Sequence, residues 1–262
     1  MFPHPQAMLS KNQIKFINTL KQKKVREEEQ LFTIEGSKMV AEAIRSSLVI
    51  KHIYATADFI KAQELENNPV CEEVTHSELV KITNLVTPNE AFAICETPSV
   101  NLSKQVFKGK LTIVLDEIKD PGNLGTIIRI ADWFGIESVV CSEHTVDAYN
   151  PKVVQSTMGS IMRINVFYTD LKSFLSSAAT SNHLSVFGAL LEGENVYQQQ
   201  LPKEGFLVIG NESKGISDEL LPFISNKLNI PSFSSMKSSG GEAESLNAAI
   251  ATAILCSEFR RG

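Results

Sequence analysis

The chain has 262 residues, of which 43% are hydrophobic and 21% are charged, and its formal net charge is −5. These values are typical of globular proteins and exclude disorder, collagen and coiled coil as the main state of the chain. At about 150 residues per domain, the length favours one large domain or two modest ones.

The sequence carries no sign of a membrane or secreted protein. Its longest apolar stretch, 248–256, has nine residues, whereas a membrane helix needs about 20. The first residues lack the charged and apolar regions of a secretory signal. The four cysteines are far apart, which is typical of reduced thiols and not of a disulfide framework or zinc site. We therefore expect a cytoplasmic protein without a bound metal.

The N-terminal segment is basic although the chain is acidic. Apolar residues recur at helical spacing over 11–24 and predict an amphipathic helix. Six basic residues and no acidic residue precede Glu27; they are Lys11, Lys15, Lys21, Lys23, Lys24 and Arg26. Such a run is either an ordinary solvated helix or a local stripe that binds phosphates, and charge alone favours the solvated helix.

Short strands and helices then alternate, which predicts a parallel or mixed sheet covered on both faces. In the first half we predict strands over 32–36, 50–54, 71–75 and 91–95, and helices over 37–45, 58–66 and 77–83. The polar stretch 97–105 is interpreted as a linker. The domains are therefore predicted at 1–105 and 106–262.

The second half repeats the alternation more strongly. Strands are predicted over 111–115, 138–141, 165–168, 184–190, 206–209 and 227–230. Helices are predicted from the turn at 120–125 to Phe134, near residues 151, 171 and 217, and over 245–259. The last helix is apolar on nearly every face in its middle, so it must be buried on more than one side. A sheet on one side and a second subunit on the other would satisfy that requirement.

Three loops at predicted strand ends carry clustered polar residues, and open α/β sheets place their ligands at such ends. The loops lie at 120–125, 210–215 and 230–247. Taken alone, each has an ordinary structural interpretation. Asn123 and Ser245 are natural helix N-caps, Arg129 could form a surface salt bridge, and Glu212 could be a solvated turn residue.

Other catalytic layouts find no support in the sequence. The first loop lacks both the dinucleotide fingerprint and the Gly-Lys-Ser/Thr of a phosphate-binding loop. The five histidines lie in five different segments without metal-ligand spacing, and no Gly-x-Ser-x-Gly elbow is present.

In this order and at these separations, the three loops resemble the signature motifs of the SpoU/TrmH family of RNA ribose 2′-O-methyltransferases, in the SPOUT superfamily. The motifs are DPGNLGTIIRIA at 120–131, LVIGNESKGI at 207–216, and the Ile-Pro at 230–231 followed by ESLNAAIA at 244–251. The segment 11–95, with FTIEG at 32–36, resembles the L30e-like RNA-binding domain of several members. In this chain thirteen residues, 232–244, separate Ile-Pro from Ser-Leu-Asn, where the family usually has a short segment.

The resemblance implies an α/β protein with an N-terminal L30e-like α/β/α domain and a C-terminal SPOUT domain with a parallel sheet and a deep trefoil knot. It also implies S-adenosylmethionine as the methyl donor and a homodimer with the active site at the interface. The substrate would be RNA, with ribosomal RNA favoured over transfer RNA because the front domain is L30e-like. Knots are so rare that this expectation comes from the resemblance alone.

The resemblance also assigns roles to individual residues. Arg129 would contact the ribose 2′-hydroxyl and a nearby phosphate, and Asn123 and Glu212 would position Arg129 and the substrate. Ser245 and Asn247 would complete the catalytic site, while Gly210, Ile230 and Leu246 would contact the cofactor. Two rival functions remain at this point: a catalytically silent RNA-binding protein of the same fold, and an ordinary nucleotide-binding α/β enzyme.

Overall fold

The computed structural model describes residues 9–181, 184–233 and 245–261, and it divides the chain into two compact units. Unit 1 comprises residues 1–99 and 147–162, and unit 2 comprises residues 100–146 and 163–262. No helix among the described residues is long and apolar enough to cross a membrane.

Unit 1 is built on a four-stranded mixed sheet in the order β1-β4-β2-β3, in which β4 is antiparallel to β1 and β2. The strands are β1 (Leu31–Glu35), β2 (Ile50–Ala55), β3 (Cys71–Glu73) and β4 (Ala91–Glu96). The helices of the same stretch are α1 (Lys11–Thr19), α2 (Lys23–Glu29), α3 (Ser37–Arg45), α4 (Ala57–Ala62) and α5 (His76–Ile82).

Unit 2 is built on a six-stranded sheet in the order β10-β8-β9-β5-β6-β7, and every strand pair in it is parallel. The strands are β5 (Leu111–Leu115), β6 (Ser138–Ser142), β7 (Asn165–Thr169), β8 (Val186–Asn195), β9 (Gly205–Ile209) and β10 (Asn226–Asn229). The helices that follow β5 in the sequence are α6 (Pro121–Trp133), α7 (Pro151–Thr157), α8 (Leu171–Ser181) and α9 (Ala248–Arg260). The predicted parallel sheet is confirmed.

Residues 147–162, which contain α7, belong to unit 1, although in the sequence they lie between β6 and β7 of the sheet in unit 2. Arg26 is 4% exposed, and its guanidinium donates to the Asp147 carboxylate. The rings of Phe32 and Tyr149 lie 4.8 Å apart. No local sequence feature indicates this arrangement. Because Arg26 is buried, it does not belong to the exposed basic residues of the N-terminal segment.

The helix predicted over 11–24 is wrong in extent, because α1 ends at Thr19 and a separate α2 begins at Lys23. The Arg26 guanidinium also donates to the carbonyl oxygens of Leu20 and Lys21, at 2.8 and 2.9 Å. Those two carbonyls are thereby satisfied outside a helical ladder, so the chain can turn between the helices.

Two other predicted helix boundaries in unit 2 are wrong. The helix expected near Ser217 is a single 3₁₀ turn, Leu221–Phe223, which contains Pro222 and does not continue. The last helix begins at Ala248 and not at Ser245, because its N-cap is Asn247.

All four cysteines are free thiols, as predicted. Burial raises the pKa of Cys71 to about 11, and it raises the pKa values of Cys95 and Cys256 to about 12. Such thiols carry almost no reactive thiolate near neutral pH. No cluster of metal-ligating side chains is found among the described residues.

Replacing Asp147 with alanine should lower the free energy of unfolding by about 3–4 kcal/mol, because it leaves the buried Arg26 charge without its partner. Urea unfolding followed by circular dichroism measures this change. Lys110→Ala, which breaks an exposed ion pair with Glu137, is the matched control and should cost no more than about 1 kcal/mol. Equal stabilities of the two variants would contradict the structural role assigned to Asp147.

Candidate functional site

The first loop follows β5 and runs directly into α6. Asp120 is the N-cap of this helix, and its carboxylate accepts a hydrogen bond from the backbone N–H of Asn123 at 2.8 Å. Pro121 occupies the first helical turn, where a missing N–H costs nothing. The interpretation of Asn123 as the cap is therefore wrong. Because Asp120 takes that role, the side chain of Asn123 is available for another partner.

The second loop follows β9 and closes on itself. Asn211 and Gly215 exchange two backbone hydrogen bonds of 3.0 and 2.8 Å. A Cβ atom at Gly210 would lie 2.2 Å from the carbonyl carbon of Gly215, so no larger residue fits at position 210 without moving the backbone. Gly215 adopts φ 72°, in the left-handed region that glycine favours. These contacts hold Glu212 in a compact turn at the carboxyl end of β9.

The third loop ends at the N-terminus of α9. The Asn247 side-chain oxygen accepts hydrogen bonds from the N–H groups of Ala249 and Ile250, at 3.0 and 3.2 Å. The Ser245 hydroxyl instead donates to the backbone oxygen of Glu212, at 3.4 Å. The interpretation of Ser245 as the N-cap is therefore wrong, and Ser245 links the third loop to the second.

Hydrogen bonds join the three loops into one cluster. Nδ2 of Asn247 donates to Oδ1 of Asn123 at 2.9 Å, and Nδ2 of Asn123 donates to Oε1 of Glu212. With the Ser245 contact, four of the five predicted catalytic residues lie in this cluster. The hydrogen bonds to Asn247 and Glu212 together fix the orientation of the Asn123 carboxamide. Oε2 of Glu212 has no hydrogen-bond partner in the part of the chain that the structure describes.

Arg129 does not join the cluster within the described chain. It lies six residues after Asn123 on α6, about 9 Å further along the helix axis, and its side chain is exposed. It forms no hydrogen bond or ion pair with any residue that the structure describes. The surface salt bridge that the sequence left open for Arg129 is therefore absent among the described residues. Thr126 and Trp133 are exposed on the same face of α6, and Trp133 is 85% exposed.

The three residues predicted to contact the cofactor lie at the same edge of the sheet as the cluster. Gly210 follows β9, Ile230 follows β10, and Leu246 immediately precedes Asn247. None of them carries a charged side chain. The segment 234–244, which holds most of the 232–244 insertion, lies outside the described residues.

Two residues that support the second loop were missed in the sequence. Asp116 follows β5, is 4% exposed and accepts a hydrogen bond from the N–H of Ser217 at 2.7 Å. Asn211 donates from its side chain to the carbonyl oxygen of Glu117 at 2.9 Å. The available signal was a charged residue, Asp116, placed directly after a strand that is apolar except for Thr112.

Comparison with known proteins gives matches over most of the chain. The SpoU rRNA Methylase family matches residues 110–257, and the MRM3-like substrate binding domain matches residues 11–93. The Bacillus subtilis 23S rRNA (guanosine(2553)-2′-O)-methyltransferase RlmP is 33% identical over 253 residues, which are 96% of this chain and 97% of that protein.

Two solved structures are similar over nearly the whole chain. A TrmH-family protein from Porphyromonas gingivalis has 38% identity and a TM-score of 0.85, with 97% of this chain and 99% of that chain covered. An AdoMet-bound rRNA methyltransferase from Sinorhizobium meliloti has 29% identity and a TM-score of 0.83, with 97% and 95% covered.

Proposed function

The chain belongs to the SpoU rRNA methylase family, and from that premise we propose that it methylates a ribose 2′-hydroxyl of ribosomal RNA with S-adenosylmethionine as donor. The observation that carries the proposal is the Asn247–Asn123–Glu212 cluster, in which all three family motifs meet. The relatives support the assignment, because the B. subtilis protein is named a 23S rRNA 2′-O-methyltransferase and the S. meliloti structure is described as AdoMet-bound.

The reaction sets two demands on the protein. When bound, S-adenosylmethionine would supply an electrophilic methyl group attached to a sulfonium sulfur, and that sulfur would be left as a neutral thioether after transfer. The protein must hold the 2′-oxygen in line with the carbon–sulfur bond and lower the cost of losing the hydroxyl proton. Gly210, Ile230 and Leu246 would hold the cofactor through backbone groups and aliphatic contacts, and they need supply no charge to phosphates.

Arg129 meets the second demand as an electrostatic group. A guanidinium keeps its positive charge near neutral pH, so it acts poorly as a simple base. Placed beside the 2′-oxygen and an adjacent phosphate, its planar fork stabilises the developing alkoxide. Glu212 and Asn123 would orient this guanidinium and the ribose, and Ser245 and Asn247 would complete the site.

A homodimer would bring Arg129 to the cluster of a second chain. Helices α6 and α9 pack on each other and together expose Trp133 and Ile250, the latter at 52%. Burying such side chains favours association, and a two-fold interface presents each patch to its copy. Because Arg129 shares the exposed face of α6 with Trp133, we assign the active site to the dimer interface.

RNA binding is assigned to the N-terminal unit. Lys11, Lys15 and Lys21 are exposed, whereas Lys23 and Lys24 face Glu27 and Glu28 at 3.5 and 3.7 Å. We also propose a cytoplasmic location, because bacterial ribosomal RNA, on which the B. subtilis relative is named to act, lies in the cytoplasm. We also propose that residues 1–105 form an RNA-binding part and residues 106–262 a transferase part, with 147–162 packed on the RNA-binding part. A trefoil knot near the C-terminus is a separate proposal.

Arg129→Ala should lower the single-turnover rate by two to three decades, or about 3–4 kcal/mol, because the alkoxide loses its stabilising charge. Cofactor affinity, measured by calorimetry, should hardly change, since the other two loops hold the donor. Arg129→Lys should rescue poorly, because a point charge cannot span hydroxyl and phosphate. Near-wild-type turnover in Arg129→Ala would remove the residue from the mechanism. Absence of S-adenosylmethionine binding by the wild type would favour a silent RNA-binding protein.

Mixing Arg129→Ala chains with Glu212→Ala chains tests whether the site is shared between protomers. If Arg129 acts on the partner's cluster, each mixed dimer contains one site with an intact arginine and an intact glutamate. Co-expressed and purified mixed dimers should then regain a large part of the activity that each parent lacks. No recovery would place Arg129 and Glu212 in the same chain's site.

Trp133→Glu should shift the protein from dimer to monomer at micromolar concentration, because it places a charge in an apolar contact. Light scattering during size-exclusion chromatography measures the mass. Val80→Glu is the matched control, because Val80 is an exposed apolar residue on α5 of unit 1, and it should leave the dimer intact. A wild-type monomer would exclude the proposed interface.

Reversing Lys15 and Lys21 to glutamate should weaken RNA binding more at low salt than at high salt, because fewer counterions are released on binding. Filter binding across a salt series measures the slope, and turnover at saturating RNA should be unchanged. Reversal of the paired Lys23 is the internal comparison and should have a smaller effect. Unchanged affinity at every salt concentration would support the solvated-helix interpretation.

A further inference from the structure

The second loop is anchored at both ends by one buried residue. The backbone N–H of Asp116 donates to the carbonyl oxygen of Ile209, the last residue of β9, at 2.9 Å. The Asp116 carboxylate accepts from the N–H of Ser217, where the loop returns, at 2.7 Å. A carboxylate that accepts a backbone N–H while almost fully buried forms a short, strong, charge-assisted bond. Asp116 therefore fixes the entry and the exit of the loop that carries Glu212.

A second tether joins the loop to the segment after β5. Nδ2 of Asn211 donates to the carbonyl oxygen of Glu117 at 2.9 Å. Oδ1 of the same side chain accepts from the N–H groups of Ser213 and Lys214, at 2.9 and 3.2 Å. The Asn211 carboxamide thus closes the inner turn of the loop and ties that turn to its neighbour.

The segment that receives these tethers is itself held rigidly. Glu117 adopts φ 55°, an uncommon left-handed conformation for a residue other than glycine. Its N–H donates to the hydroxyl of Ser142 at 2.9 Å, and that hydroxyl lies 3.0 Å from the hydroxyl of Thr145. The loop is therefore anchored, through residues 116–117, to the ends of both β5 and β6.

This arrangement has a direct consequence for Glu212. The loop is closed on itself by the Asn211–Gly215 backbone pair, so it moves as one piece. Loss of either tether would let it pivot about its β9 end, where Gly210 lies. Glu212 is further from the pivot than Gly210 and would be displaced more, away from Asn123.

We propose that Asp116 and Asn211 are positioning residues, which hold Glu212 in hydrogen-bonding distance of Asn123 and so set the rate of methyl transfer. The inference rests on the proposed function. Neither residue needs to touch the substrate, because both act through the orientation of the loop. Their loss should lower turnover more than cofactor affinity, since the cofactor contact at Gly210 lies near the pivot.

The test uses four variants of the full chain. Asp116→Ala removes the acceptor for Ser217, whereas Asp116→Asn keeps an oxygen in its place. Asn211→Asp keeps the oxygen that caps Ser213 and Lys214 but replaces the donor to Glu117 with an acceptor. Ser138→Ala is the matched control, because it removes the acceptor of a partly buried hydrogen bond from Gln105, at the opposite end of β6.

The readouts are single-turnover methyl transfer to ribosomal RNA from a strain lacking the gene, cofactor titration, and hydrogen–deuterium exchange of peptides spanning 211–217. Asp116→Ala and Asn211→Asp should each turn over about 10- to 100-fold more slowly, as a misplacement of about 1 Å causes. Cofactor affinity should stay within about threefold, or about 0.7 kcal/mol, because the cofactor contact at Gly210 lies near the pivot. Exchange in 211–217 should be faster in both variants. Asp116→Asn should show smaller changes of the same kind, because a neutral amide oxygen accepts a weaker hydrogen bond than a carboxylate does. Ser138→Ala should behave as wild type in all three measurements.

Wild-type turnover in Asn211→Asp, or unchanged exchange in 211–217 in that variant, would overturn the proposal even if Asp116→Ala failed to fold. If Ser138→Ala lost as much turnover as Asn211→Asp, Asp116 and Asn211 would contribute only to the general stability of the fold and not to the position of Glu212. If wild-type protein transferred no methyl group to the RNA, the proposed function would fail instead. The exchange measurement would still decide whether the two tethers hold the loop.

Discussion

Two side-chain hydrogen bonds join the three polar loops of unit 2: Asn247 donates to Asn123, and Asn123 donates to Glu212. The bonds join residues that are 124 and 89 positions apart in the chain. Each loop alone is an ordinary strand-to-helix or strand-to-turn connection. Joined in this way, three loops present one carboxylate and two carboxamides at a single edge of the sheet. Every role that we assign to the site depends on that junction.

The parallel sheet explains why the junction is possible. β5, β9 and β10 run in one direction, so the segments that follow them emerge on the same side of the sheet. The helix caps then determine which side chains remain available for contacts between the loops. Asp120 caps α6 and frees Asn123, whereas Asn247 caps α9 with its oxygen and keeps its amide for Asn123. The carboxamide of Asn247 thus serves the helix and the site at once, which only a residue with both a donor and an acceptor can do.

Much of this could be predicted from the sequence, because apolar runs and their spacing are local properties. The strand at 111–115 and the parallel sheet were predicted correctly. Asn123, Glu212, Ser245 and Asn247, which the motifs assign to one site, lie together in the structure, whereas Arg129 lies apart from them in the described chain. The catalytic roles of all five residues stay a prediction. The errors arose where a distant partner decides the local structure. The break between α1 and α2 depends on Arg26, whose carboxylate partner lies 121 residues away. The caps were misassigned because Asp120 and Asn123, or Ser245 and Asn247, are equally suited to capping until their other contacts are known. The position of residues 147–162 in unit 1 has no local signal at all.

Transfer of a methyl group to a ribose 2′-oxygen can be detected through the chemistry of RNA hydrolysis. Ribosomal RNA from a strain lacking the gene would be incubated with the purified protein and S-adenosylmethionine carrying a labelled methyl group, and then hydrolysed completely in alkali. A methylated 2′-oxygen cannot attack the adjacent phosphate, so we expect the label in alkali-resistant dinucleotides. Arg129→Ala protein should leave the RNA almost unlabelled under the same conditions. Label recovered in mononucleotides would show methylation of a base and would exclude ribose methylation by this protein.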